Sequence, residues 1–518
     1  MTKSGQLGEN GHVAFVRTPR YLWPFNSAAS AFWPPLGFCS LAGAVRERFP
    51  ALRLSILDCP ALKIGWKTLE RKLRADPADV VCIGEETVSS PEGLRLARLV
   101  KSIRPQAIVV AGGVYFSYRV EKTFAEGTFD YIVRGEGEQT LAELIETLLQ
   151  GGGDFRRVDG LAYREGGRVC INPPRAPIRD PDSLPRPAYD LLQVDVYGRD
   201  SKNHPALATL EHGRGCTGQC SFCILWKHFG EPQNGATVPC YRTKSPERTF
   251  DEVKWLVTQY GRRTIHFVDP CFNTDPGWTD RFTDLMLAAD LDVQFTAWMR
   301  ADGVVRDERL GIMEKLVRAG LVQTYIGIER AEERDLAFLN KRRNGPEITR
   351  RAFQVLRERH PSVFAIGTII YGLPWESKQT LAALRDIHYA YPIDCAFYIP
   401  LAPNPGTEIR RKLEADGYRM SDNFREYNFF TPVMDTDHLS RRQLEDFYSH
   451  MLLHFSAAKM RSILRATRNG RDARAKRVYR RLLWYAFKVG GRQLLRRLLR
   501  PLTNGPTLYA KKPKWYDG

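Results

Sequence analysis

Three cysteines fall within eight positions of the stretch GCTGQCSFC, residues 215 to 223. Cys216, Cys220 and Cys223 have C-x-x-x-C-x-x-C spacing, which gathers three thiolates on one short loop. A disulfide would use two of them and strand the third. A structural zinc site takes four ligands, commonly from C-x-x-C pairs. Cys240, seventeen residues past Cys223, is the candidate for a fourth and reads as an ordinary thiol. Three thiolates fit an iron–sulfur centre better. A 4Fe–4S cube held by three cysteines keeps one iron free of protein ligands, and that open iron can chelate and activate a small molecule.

A loop of this kind needs a scaffold. The chain has 518 residues, the length of about two to four domains. No apolar run approaches a membrane span, and the opening MTKSGQLGENGHVAF lacks the basic head and apolar stretch of a signal peptide. Ten cysteines, scattered singly apart from the one group, predict a reducing, cytoplasmic setting rather than a disulfide framework. The net charge of +18 is uneven: Lys459 to Arg500 holds fifteen Lys/Arg and one acid, leaving only +4 for the rest. That distribution argues against a protein-wide nucleic-acid surface.

Residues 1 to 150 read as one unit. The runs HVAFVRTP, LRLSILDC, DVVCIGEE, AIVVAGGV and DYIVRGEGE have strand character. LGFCSLAGAVRERFP, PEGLRLARLVKSIRP and QTLAELIETLLQ have helical spacing. The alternation predicts an α/β, Rossmann-like, doubly wound parallel sheet, whose ligands bind beyond the carboxyl ends of the strands. Those ends carry Glu85-Glu86-Thr87, Gly112-Gly113-Val114 and Arg134-Gly135-Glu136-Gly137-Glu138. No G-x-G-x-x-G opens the first helix, which disfavours a dinucleotide. Residues 151 to 204 read as a connector, with a hairpin turning at Gly166-Gly167.

Alternation resumes over 205 to 410. ALATLEHGRG, TIHFVDP, VQFTAWM, QTYIGIE, VFAIGTIIYGLP and CAFYIPL are strand-like, separated by helical stretches such as PERTFDEVKWLVTQYG, DERLGIMEKLVRAG and PEITRRAFQVLRERH. Six such repeats predict a (β/α)6-type barrel with its chemistry at the strand C-termini, and the cysteine loop follows the first strand. Residues 411 to 518 read as a mainly helical C-terminal domain with a basic tail.

The cysteine spacing, with Phe222 before the last cysteine, resembles the signature of the radical S-adenosylmethionine superfamily. The resemblance implies that S-adenosylmethionine chelates the open iron and is cleaved reductively to a 5′-deoxyadenosyl radical. It further implies contacts to S-adenosylmethionine from Phe222, from Asp269 and Pro270 near the amino group, from Arg300 and Glu329 at the ribose or carboxylate, and from Tyr371 and Gly372 near the adenine. The alternative for Arg300 and Glu329 is a mutual ion pair in the barrel mouth. With its first domain, the chain resembles the cobalamin-binding subclass over nearly its whole length, including WPPLGFCSLAGAVRE, DYIVRGEGEQTLAEL, GLPWES and PNPGTEI. Cobalamin is then expected between sheet and barrel, touched by Leu36, Gly37, Glu86, Thr87, Ser89, Gly112, Gly113, Val114, Gly135, Glu136 and Gly137. Many cobalamin proteins supply a histidine from D-x-H-x-x-G. Here the comparable stretch is Asp58-Cys59-Pro60-Ala61-Leu62-Lys63, and His12 is the only histidine before residue 204, so no histidine on cobalt is expected.

The resemblance implies methylation of an unactivated carbon on a small-molecule or hydrophobic substrate, with an external electron donor of flavodoxin or ferredoxin type. RGCTGQCSFCILWKHF also resembles the anaerobic magnesium-protoporphyrin monomethyl ester cyclases, which makes radical ring closure the alternative. DPCFN and PNPGT depart from the cyclase pattern. A corrinoid-binding sensor is the non-catalytic reading, and it has no use for an open iron. No nucleic-acid module is recognised. Residues 480 to 502 could place Leu483, Trp484 and Phe487 on one face, either against the barrel or on an anionic membrane surface.

Overall fold

The computed structural model describes residues 7–20, 33–151, 153–341, 343–464, 473–478, 480, 483–484 and 513–518. The first sheet contains β1 (His12–Arg17), β2 (Arg53–Asp58), β3 (Val80–Gly84), β4 (Ile108–Gly112), β5 (Tyr131–Val133), β6 (Leu161–Glu165) and β7 (Arg168–Ile171), in the order 2-1-3-4-5-6-7. The first five, all expected from their apolar runs, pair in parallel. Their side chains alternate between two cores. Val80, Cys82 and Val110 face helices Leu36–Arg48 and Gly137–Leu149. Val81, Ile83 and Val109 face helices Trp66–Ala75 and Ser90–Ile103. Covered on both faces, the strands need no polar alternation.

The hairpin at Gly166-Gly167 forms, but as more than a connector. Its first strand, β6, pairs antiparallel with β5, so the sheet runs past residue 150 to Ile171 and β5 is not left as an open edge. The chain then bolts the two units together. The Tyr189 hydroxyl donates to the Thr209 carbonyl and accepts from the Thr209 N–H at 3.0 Å. The Tyr197 hydroxyl donates to Asp58 at 2.7 Å, and Asp58 also pairs with Arg17 at 3.2 Å.

The second sheet begins with β8 (Leu207–Leu210). Two short antiparallel ribbons follow: β9 (Gly213–Arg214) with β12 (Arg242–Thr243), and β10 (Glu231–Gln233) with β11 (Ala236–Val238). The remaining barrel strands are β13 (Thr264–Phe267), β14 (Gln294–Met299), β15 (Leu321–Glu329), β16 (Phe364–Tyr371) and β17 (Cys395–Pro400). Six parallel strands run in the order 8-13-14-15-16-17, as the six sequence repeats predict, with β8 and β17 as edges. The stretch DERLGIMEKLVRAG departs from expectation. It splits between helices Ala301–Arg309 and Ile312–Arg318, because Gly311 takes a left-handed φ of 75° between them.

Residues past 410 divide between both cores. Helix Arg441–Leu464 adds Leu444, Tyr448, Met451 and Phe455 to the barrel core. Phe424, Tyr427, Val433 and Tyr516 join a core of the first sheet. The terminal stretch is held there by the Trp66 N–H, which donates to the Tyr516 carbonyl at 2.9 Å. No described helix is long and apolar enough to cross a membrane. Apart from Arg480, Leu483 and Trp484, the stretch 480–502 lies outside the described residues, and so does the membrane-contact expectation.

Tyr197→Phe tests the connector's bolt. It leaves the buried Asp58 carboxylate one donor short, at a cost of about 1–3 kcal/mol. The onset of thermal unfolding should fall; an unchanged onset would show that the bond carries no load.

Candidate active site at the junction of sheet and barrel

The cysteine loop leaves the ribbon β9–β12 at Gly215, whose φ is 78°. A Cβ there would lie 1.8 Å from the Cys240 carbonyl oxygen, so only glycine allows this approach. The loop closes on itself: the Gly218 N–H donates to Cys216 Sγ at 3.3 Å. A Cβ on Gly218 would sit 3.6 Å from Cys216 Sγ and 4.0 Å from Cys220 Sγ. Burial pushes the Cys220 thiol up to about 12 and the Cys223 thiol up to about 11. External ties fix the loop. Arg300 donates to Thr217 Oγ1 at 2.8 Å, and Asn340 Nδ2 to the Gln219 carbonyl at 2.7 Å. The Ile409 N–H donates to the Ser221 carbonyl at 3.0 Å, and Trp226 Nε1 to the Cys220 carbonyl at 3.0 Å.

The residues at the barrel-strand ends gather around this loop in different ways. Arg300 chelates Asp302 at 2.9 and 2.5 Å while reaching Thr217. Glu329, at the end of β15, holds a left-handed φ of 61° and pairs with Lys341 at 3.1 Å. The two do not pair with each other. Lys341 is a functional candidate that the sequence reading missed. Its Nζ also donates to the Gly327 carbonyl at 2.6 Å, and its charge works against the burial of Cys220. No motif marks it, because it lies on a separate turn.

Asp269 is 1% exposed. Its Oδ1 accepts the His212 N–H at 2.7 Å and the Gly213 N–H, so this carboxylate organises the exit of β8. Pro270 beside it is half-buried. Tyr371 ends β16 with its ring fully buried, 6.2 Å from that of Tyr448 on helix Arg441–Leu464. Gly372, at φ 81°, donates its N–H to Glu376 at 3.0 Å. Phe222 packs against the small core that contains Leu373, Leu401 and Ile409.

A cavity of about 530 Å³ lies between the strand ends of the first sheet and the barrel. Leu36, Gly37, Glu86, Gly112, Gly113, Val114, Gly135, Glu136 and Gly137 line it, nine of the eleven expected residues. Thr87 and Ser89 do not. They turn into the short helical turn beyond β3, where Ser89 Oγ donates to Glu85 at 2.5 Å and accepts from Arg20 at 2.8 Å. Arg214, His228, Phe229 and Val268 close the cavity from the barrel side. Trp33 crosses between the units, its ring 3.8 Å from that of His266 on β13. His12 stands at the opposite, N-terminal end of the sheet, bonded to Ser55 at 2.7 Å.

Glu136 has a second engagement that the sequence reading did not anticipate. Its carboxylate accepts from Arg214 at 3.2 Å and from Arg242 at 2.6 Å. Arg214 also meets Glu138 and Glu211, each at 2.6 Å. Burial alone would raise the Glu138 carboxyl, but Arg214 holds it below the ordinary carboxylate range. A group depressed in this way stabilises the fold above its unfolded pKa and loses that contribution as pH falls through the folded one.

Comparison with known families matches residues 24–145 to the B12 binding domain and residues 210–386 to the radical SAM superfamily. The chain belongs to the cobalamin-binding radical S-adenosylmethionine superfamily. It is 29% identical to an uncharacterized methyltransferase of Pyrococcus horikoshii, over 82% of this chain and 87% of that one. It is 27% identical to the anaerobic magnesium-protoporphyrin IX monomethyl ester cyclase of Rubrivivax gelatinosus, over 80% and 72%. Its fold matches the radical S-adenosylmethionine methyltransferase TsrM of Kitasatospora setae, solved with cobalamin and a 4Fe–4S cluster bound. That match has a TM-score of 0.64, 16% identity and coverage of 86% and 89%.

The cofactors of this radical S-adenosylmethionine enzyme are cobalamin, a 4Fe–4S cluster and S-adenosylmethionine. The residues present fit them. Three thiols lie on one short loop anchored from several sides, two of them, Cys216 and Cys220, flanking Gly218. The cavity is lined by apolar strand ends, and a Cβ on Gly37 or Gly135 would meet nothing within 4 Å, which keeps two walls open to a large ligand.

Arg214→Met should strand Glu138 and Glu211, leave Glu136 to Arg242 alone, and cost about 3–5 kcal/mol. We expect a lower unfolding onset and loss of bound corrinoid on gel filtration. Retention equal to the parent would contradict the role of this network.

Proposed function

We propose that this enzyme methylates an unactivated carbon of a small or hydrophobic substrate. The observation that carries the reading is the position of Arg214: it lines the cavity between sheet and barrel and lies two residues before the cluster cysteine Cys216. Two cofactor sites are thereby set against one barrel mouth, as a radical step coupled to methyl delivery requires.

In this reading Cys216, Cys220 and Cys223 hold the cluster. Arg300 and Glu329, with Lys341 beside Glu329, orient S-adenosylmethionine through hydrogen bonds and charge. Phe222 and Gly372 shape its apolar side, and Asp269 and Pro270 set the strand exit near its amino group. Leu36, Gly37, Gly112, Gly113, Val114, Gly135 and Gly137 cradle the corrinoid, and Glu86 offers it a carboxylate. With these groups bound, the cluster and S-adenosylmethionine supply a hydrogen-abstracting radical and the corrinoid supplies a methyl group. The protein's own task is positioning and the exclusion of water, for which Trp33, Phe229 and Val268 provide apolar cover. The reaction class calls for an external one-electron donor, which we assign to the flavodoxin or ferredoxin type. All ten cysteines are free of disulfides, in keeping with a reducing cytoplasmic setting.

The second reading is radical ring closure without methyl transfer, favoured by the cyclase relative. Product counting separates the two. Anaerobic turnover by a methyltransferase should release S-adenosylhomocysteine and 5′-deoxyadenosine in step with methylated product. Release of 5′-deoxyadenosine alone, with a substrate two hydrogens lighter, would establish the cyclase reading instead. Cys220→Ala should abolish 5′-deoxyadenosine release in either case. Lys341→Met should raise the KM for S-adenosylmethionine about tenfold or more while leaving iron content intact, the loss expected for one charge-assisted hydrogen bond. An unchanged KM would remove Lys341 from the site.

A further inference from the structure

The barrel wall of the cavity carries four polar side chains, Thr209, Glu211, Arg214 and His228. Three already have protein partners. Thr209 Oγ1 donates to the Pro34 carbonyl at 3.2 Å. Glu211 and Arg214 bond each other, and Arg214 continues to Glu136 and Glu138. His228 differs. Its ring lies 5.0 Å from that of Phe229 and 6.3 Å from that of Tyr118, and neither ring nitrogen has a hydrogen-bond partner among the described residues. The ring is half-buried and its remaining surface opens on the cavity. Burial, aided by Arg214, pushes its pKa down to about 4, so at neutral pH it offers one N–H donor and one acceptor nitrogen. The free edge of the ring faces the cavity, where a ligand would complete its hydrogen bonding.

Its support is rigid. His228 ends the helix Leu225–His228 that follows the cluster loop, and its own N–H donates to the Ile224 carbonyl at 2.8 Å. On that helix Lys227 Nζ donates to the Gly406 carbonyl at 3.0 Å. The imidazole is therefore held in the same frame as the cluster cysteines.

We propose that His228 is the barrel's hydrogen-bond contact to the corrinoid, pairing with an amide of the corrin rim and leaving the cobalt free. The corrin rim carries amides that donate and accept, which matches both nitrogens of a neutral imidazole. This inference rests on the reading that the cavity holds cobalamin.

The test titrates the full chain, with its cluster reconstituted anaerobically, with hydroxocobalamin and follows visible absorbance. His228→Phe should weaken binding about 3- to 10-fold, the worth of one hydrogen bond, whereas His228→Gln should retain most of the affinity. Cob(II)alamin bound to the parent and to His228→Phe should give the same electron paramagnetic resonance pattern. Equal affinity of His228→Phe and parent overturns the contact. Equal loss in both variants assigns the effect to packing and also overturns it. A nitrogen triplet present in the parent and lost in His228→Phe overturns the rim assignment in favour of cobalt ligation. Gly37→Trp, which fills the cavity, is the separate control: if it binds cobalamin as the parent does, the cavity reading itself fails.

Discussion

Arg214 lies between two units that the chain folds separately, and it bonds carboxylates of both. Glu136 comes from the turn after the fifth strand of the first sheet, Glu138 from the start of the helix that follows, and Glu211 from the exit of the first barrel strand. Arg242 adds a second guanidinium to Glu136 from the ribbon strand paired with Arg214's own. Burying these charges is expensive, and mutual pairing recovers the cost only when the geometry is right. Such a cluster therefore selects one docking of sheet on barrel. Because Cys216 follows Arg214 by two residues, that docking also fixes where the cluster loop stands relative to the cavity.

The rest of the site follows from this constraint. The ribbon that carries Arg214 and Arg242 forces the close backbone approach at Gly215, from which the cysteine loop departs. Arg300, the Phe338–Asn340 turn and the loop before Ile409 then clamp the cysteine loop from three barrel-strand ends. Glu329 is held in a left-handed backbone conformation beside Lys341, local strain of the kind that persists where surrounding contacts over-determine a site. The C-terminal segments reinforce the same arrangement, because they divide between the barrel core and the sheet core. Radical chemistry gains from rigidity of this sort, since an unguided radical reacts with whatever lies next to it.

Much of this was legible in the sequence. Apolar runs separated by amphipathic helices predict all five parallel strands of the first sheet and all six of the barrel, because strands covered on both faces are written as continuous apolar segments. The cysteine loop was legible because its chemistry is local. So were the glycines at the strand ends, which carry a local signal of close approach. What could not be read depends on pairing across distance. Glu136 looks like a cavity residue and is one, yet its carboxylate is spent on two arginines far along the chain. Tyr371 sits at the expected strand end, but a helix some seventy residues later claims its ring. Lys341 reaches the site from a turn that no motif marks, and His228 from the short helix after the cysteine loop, where its own position carries no signal. His12, the one histidine of the first domain, stands at the far end of the sheet, whereas His228 lines the cavity from the barrel side.

The central claim is that two redox-active cofactors face each other across one junction fixed by Arg214. Electron paramagnetic resonance of the full chain holding the reduced cluster together with cob(II)alamin tests it most directly. Two spins held at one junction should interact, so the account predicts a spectrum split or broadened relative to either centre alone. A spectrum that equals the simple sum of the two separate signals would place the cofactors far apart and contradict the account.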